Sequence, residues 1–143
     1  MIYQGMCTSF KVGLLNGDFD FGTGTTQTFK VALYTSAANL SASTTAYSAT
    51  NEASGAGYSA GGQALSVSVV PTSTGTTAFL SFSDVTWAAT TLTARGALIY
   101  KADGVTNPAI AVLDLGENKQ TNSGDFTINF PLADASSAII QIA

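Results

Sequence analysis

The chain has 143 residues, a formal net charge of -4, no histidine and one cysteine, and only 10% of its residues are charged. That is the length of a single domain spanning residues 1–143, with far fewer charges than the ~25% usual in soluble globular proteins, so its surface must be built from serine, threonine, alanine and glycine. The lack of histidine excludes a histidine-dependent triad or acid/base pair, the lone Cys7 excludes an intrachain disulfide and a Cys/His zinc site, and the scattered lysines form no stripe that could neutralise phosphates, so nucleic acid is not an expected partner.

The opening "MIYQGMCTSF" lacks the charged start and apolar run of a signal peptide, and no later stretch approaches the roughly 20 apolar residues of a membrane span. The expectation is a soluble protein made in the cytoplasm, with no membrane partner. Ile2, Tyr3 and Met6 have no obvious place in a β-rich core, which makes them candidates for an assembly interface. In "TSFKVGLLNG", Phe10, Leu14 and Leu15 recur at helical intervals, Thr8 or Ser9 can cap the start and Gly17 can end the turn, predicting one short helix.

"NGDFDFG" sets Asp18 and Asp20 on one side of an extended stretch. Such a pair could touch a hard cation or serve a glycosidase, but calcium takes six to eight oxygens and two carboxylates beside glycine are ordinary turn chemistry. No metal and no cofactor is therefore expected. "GTGTTQT" lacks the Gly-Lys-Ser/Thr ending of a phosphate-binding loop.

From there the hydrophobic period is close to two. "FKVALYT" puts Phe29, Val31 and Leu33 on a core face and Lys30, Ala32 and Tyr34 on the other. Residues 36–62 break the pattern: a stretch of this length without periodicity is usually a functional loop, a docking arm or a disordered segment, and Tyr47 and Tyr58 are its candidate contact residues. "ALSVSVV" alternates again until Pro71, which lacks a backbone donor. "TAFLSFSDVTW" changes parity along its length, which implies either that both faces are partly covered or that a bulge shifts the register near Ser83. "TARGALIYKA", "PAIAVLDLG", "GDFTINFPL" and "SAIIQIA" follow between turn signals. The pattern predicts an all-β fold, an antiparallel β-sandwich or jelly roll of about seven to eight strands.

The one arginine, Arg95, shares the parity of Ala97 and Ile99 and so should face a core layer, where a charge must be paired and hydrogen-bonded. Its candidate partners are Glu52, Asp84 and Asp114, and the expected role is a buried structural clamp, for which the planar guanidinium is well suited.

Together, "FKVALYT", "NEASGAGY", "AGGQ", "FSDVTWAATTLTARGALIYK", "AIAVLDLG" and "GDFTINFP" make the chain resemble, over nearly its whole length, a group of small tailed-bacteriophage virion structural proteins. The resemblance implies a non-enzymatic particle component, a capsid cement or decoration protein of the jelly-roll kind. Its implied partners are the major capsid protein and sister subunits in a homo-oligomer, and its implied location is the virion. No catalytic residues carry over. The alternative is a tail, neck or fibre-associated module, with a glycan site at Tyr47, Tyr58, Asn51 and Glu52. That alternative requires the two tyrosines to be exposed in the free protein.

Overall fold

In the computed structural model, which describes Met1–Ala143, the alternating stretches become antiparallel strands around one aromatic-rich core. Ten strands and one helix follow in chain order: β1 (Gly5–Met6), α1 (Thr8–Asn16), β2 (Phe29–Tyr34), β3 (Gln63–Leu65), β4 (Val67–Thr74), β5 (Thr77–Phe82), β6 (Val85–Thr90), β7 (Thr93–Lys101), β8 (Ala109–Gln120), β9 (Gly124–Ile128) and β10 (Ile140–Ile142). The count exceeds the expected seven to eight because the two-residue β1 is too short to show a period and because "ALSVSVV" and "TAFLSFSDVTW" each divide between two strands, β3/β4 and β5/β6. The fold is all-β and sandwich-like: a five-stranded sheet ordered β1-β8-β7-β2-β3, a three-stranded sheet β10-β5-β4, and the ribbon β6-β9.

Two faces of the large sheet are covered, and this departs from the one-sided strand that "FKVALYT" suggests. Phe29 stacks on Phe21 at 4.5 Å between ring centroids, and Phe21 in turn meets Phe10 of α1 and Phe82 of β5. On the other face, Lys30 and Tyr34 of β2 oppose Tyr100 and Gly96 of β7. Loop 36–62 closes over that face: Tyr47 stacks on Tyr100 at 4.8 Å, and the Tyr34 hydroxyl donates to the Ser48 carbonyl at 2.7 Å. A strand buried on both faces tolerates alanine and tyrosine where a one-sided strand would carry polar residues.

The helix ends as its sequence implies. Gly17 takes φ 80, its N–H bonds the Leu14 carbonyl, and the Asp18 N–H bonds the Gly13 carbonyl, the paired arrangement of a Schellman cap. Its start differs, because the capping position is Cys7 and no side chain caps the first turn. Phe10 and Gly13 are buried, while Leu15, expected on the apolar face, is exposed. The change of parity near Ser83 is not a bulge within one strand but a boundary between two: β5 ends at Phe82, β6 starts at Val85, and the two belong to different sheets.

The chain start is integral to this fold. Ile2 is buried, bridges to Leu40, and has its Cδ1 only 2.8 Å from where a Cβ on Gly96 would stand. Met6 pairs with Ala111 in β1 and packs partly against the core. The expected assembly interface of Ile2, Tyr3 and Met6 is therefore corrected: Ile2 and Met6 complete this chain's own core, and only Tyr3 stands clear of it, 59% exposed. Exposure was inferred for Ile2 because a three-residue segment shows no period; its place exists only because Gly96, far along the chain, leaves room for it.

Candidate functional site

Loop 36–62 is held by one carboxylate. Tyr47 donates its hydroxyl to Glu52 Oε2 at 2.6 Å, Tyr58 donates to Oε1 at 2.6 Å, and the Gly61 N–H donates to Oε1 at 2.7 Å. The Tyr58 oxygen also accepts the Leu33 N–H of β2 at 2.9 Å, and the Ala53 N–H reaches the Leu33 carbonyl at 2.8 Å. The loop thus runs on beside β2 where β3 stops. Close approach is possible there because Gly62, at φ +78, has no side chain: a Cβ would lie 1.9 Å from the Val31 carbonyl oxygen. Burial, then the hydrogen bond to Glu52, pushes the Tyr47 and Tyr58 phenols well above their ordinary range, and burial followed by the Glu52 charge does the same to Tyr34.

Both tyrosines named as loop contacts are half-buried, and their hydroxyls are committed to Glu52. The glycan reading needed them exposed and free, so this site does not form in the folded chain. Asn51, its fourth member, donates to the Ala37 carbonyl at 3.1 Å. Glu52 is a lock for its own loop, which explains why the single charge between Lys30 and Asp84 sits there.

Arg95 pairs with Asp114, and neither Glu52 nor Asp84 is its partner. Asp84 instead accepts the Phe130 N–H at 2.8 Å. The pair is not buried as expected: the two side chains are 28% and 30% exposed. Arg95 lies near the half-buried start of β7, where the register with β8 shifts between the pairs Ala94/Lys119 and Gly96/Asp114 and the strand is less covered than at Ala97–Tyr100. Gly116, at φ +84, lies in the bulge of β8 at this shift and gives its N–H to Asp114 Oδ1 at 2.8 Å. That bond and the Arg95 guanidinium together hold the Asp114 carboxyl below its usual range.

At the other end of the sandwich, the core stays open. A groove of about 510 Å³ runs between α1, the Phe19–Phe21 segment and the inner face of the three-stranded sheet. Leu14, Phe19, Leu80 and Ile140 line it, and its rim residues Val70 and Ile142 are 42% and 49% exposed. On the outer side of α1, Val12 and Leu15 are exposed as well. No composition argument pointed here, because the wall joins residues from the beginning, middle and end of the chain.

The remaining reactive groups lie apart. Burial raises the Cys7 thiol to about 11, which leaves it protonated and inert. Asp20 Oδ1 accepts the Gly22 N–H at 2.8 Å, while Gln27 bonds the backbone of both Asp18 and Asp20, so "NGDFDFG" is a self-satisfied turn. No three acidic or cysteine side chains come together as a metal-binding group. No helix is long and apolar enough to cross a membrane. No protein-family model, curated protein or solved structure matches the chain.

Proposed function

We propose that this protein is a non-enzymatic structural component of a tailed-phage particle, most simply a cement or decoration protein that binds the head lattice together with sister copies of itself. The observation that carries the reading is the open apolar end of the sandwich, where the groove and its exposed rim of Val70 and Ile142 present apolar surface that the chain itself does not cover. Two further features support it. The surface is poor in charge, so a contact desolvates few ions. The long loop spends its carboxylate and phenols on its own rigidity, so the surface it presents is pre-formed.

A reconstruction of the particle tests this directly. The expected result is density for this chain repeated over the head lattice with the β4/β10 end in contact, and loss of attachment in Val70→Asp or Ile142→Asp protein of unchanged melting temperature. Density confined to a tail tip or neck would replace the head assignment by the tail-module reading, and absence from particles would sink both.

A further inference from the structure

The turns that follow β6 and β8 meet the start and middle of loop 36–62 in an open cleft of about 710 Å³, on a different part of the molecule from the apolar groove. Its lining is Thr35, Ser54, residues 91–93 and residues 120–122, all uncharged and all polar except Leu92.

Hydrogen bonds tie the floor of the cleft to its neighbours. Thr90 and Thr121 share a hydrogen bond of 2.7 Å, Thr90 also donates to the Gly124 carbonyl, Thr121 accepts the Leu92 N–H, and Thr91 accepts the Ser123 N–H. The Thr91 N–H in turn reaches the Ala56 carbonyl, which fastens the loop to the turns. Beside these, Ser54, Thr93, Gln120 and Asn122 line the cleft with exposed or half-buried side chains. A hydrogen-bonded floor therefore carries two hydroxyls and two carboxamides from three chain segments.

We propose that this cleft is a binding site for a neutral carbohydrate. Hydroxyls and carboxamides each offer a donor and an acceptor, and a carboxamide can bond two neighbouring sugar hydroxyls at once. Charge decides against an acidic sugar. The nearest cations in the chain, Arg95 and Lys119, are already paired with Asp114 and Glu117, so nothing nearby is free to neutralise a carboxylate or sulfate. One such site is weak, in the millimolar range, and gains strength only when many copies are displayed together. The proposal does not rest on the lattice reading, since it concerns other residues and a different ligand.

Amide NMR spectra recorded with maltohexaose, cellohexaose, mannohexaose and chitohexaose, each at about 10 mM, test it, with hexagalacturonic acid as the charged control. At least one neutral hexaose should shift the amides of Ser54, Thr93 and Asn122, and the acid should not. The Thr93→Val/Asn122→Ala variant should weaken that binding about tenfold or more at unchanged melting temperature, and Gln120→Ala, on an exposed strand end, should repeat the loss should the double variant fold poorly. The site assignment is overturned by an absence of shifts with all four neutral sugars, by shifts centred on Tyr47 or the apolar groove, or by equal binding of the acid.

Discussion

The Tyr58 hydroxyl donates to Glu52 Oε1 at 2.6 Å while its oxygen accepts the Leu33 N–H at 2.9 Å, so one phenol joins the long loop to the central sheet. Hydrogen bonds to a charged acceptor contribute about 1.5–3 kcal/mol each. Tyr58→Phe should therefore lower stability by about 2 kcal/mol, and Glu52→Ala, which strands two phenols and an amide, by about 3 kcal/mol or more. Glu52→Gln should cost less than Glu52→Ala, because its carbonyl oxygen can keep the Tyr58 and Gly61 bonds while the Tyr47 hydroxyl turns to accept from the amide. Urea unfolding measures these losses, and a Glu52→Ala midpoint equal to the parent's would remove the lock.

The same cluster sets an alkaline limit. The Tyr34, Tyr47 and Tyr58 phenols are raised in the folded state, so the unfolded chain gives up its phenolic protons first. Their contribution is complete below the ordinary phenol value near 10 and is lost as pH rises above it, since the unfolded state then binds fewer protons. Phenolate absorbance of these tyrosines should appear together with loss of the β-sheet circular dichroism signal. At the acid end, Asp103 is held down to about 2 by the N–H groups of Asn107 and Val105, so its turn should loosen only as pH falls below the ordinary carboxylate range.

Gly96 is required by Ile2. A Cβ at position 96 would stand 2.8 Å from both Ile2 Cδ1 and the Leu113 carbonyl oxygen, and Gly96→Ala should cost about 1–3 kcal/mol by overpacking. Ile2→Ala should cost about 2–4 kcal/mol through the cavity it leaves. Removal of residues 1–6 takes away β1 and the Ile2 contact together, so the truncated chain should melt well below the parent before any question of assembly arises. Thermal unfolding followed by near-ultraviolet circular dichroism reads all three, and a truncation as stable as the parent would show that the chain start is dispensable.

Arg95→Ala should be mild. The ion pair is open to solvent, where such pairs contribute little and are screened by salt, so the variant should lose only a small part of its stability, and less in molar salt. A variant that fails to fold would mean the pair holds the β8 bulge in a way its exposure does not suggest.

The helix and its Gly17 end, the strand of Phe29–Tyr34 and the closing strand within "SAIIQIA" are legible because each is set by local spacing, a turn of helix or an alternation, whereas the division of "TAFLSFSDVTW" into strands of two different sheets is not. Nor are β1 and the separation of β3 from β4, since two or three residues carry no period and acquire strand geometry only from a partner such as Ala111 or Phe29. The Arg95 pairing is readable down to three carboxylates. Its exposure is not, because how far the rest of the fold covers that end of β7, and the irregular stretch of β8 opposite it, are set by tertiary structure.

By itself, then, the amino-acid sequence determined an all-β chain with few charges, no histidine chemistry and one arginine in need of an acid. Tertiary structure decided which acid, where Ile2 goes, and what Glu52 does with its lone charge. Those outcomes depend on contacts between segments tens of residues apart, such as Ile2 with Gly96 and the Tyr58 hydroxyl with Leu33. Local periodicity cannot encode them, because it specifies which way a side chain faces along its own element and not what the rest of the chain brings to meet it.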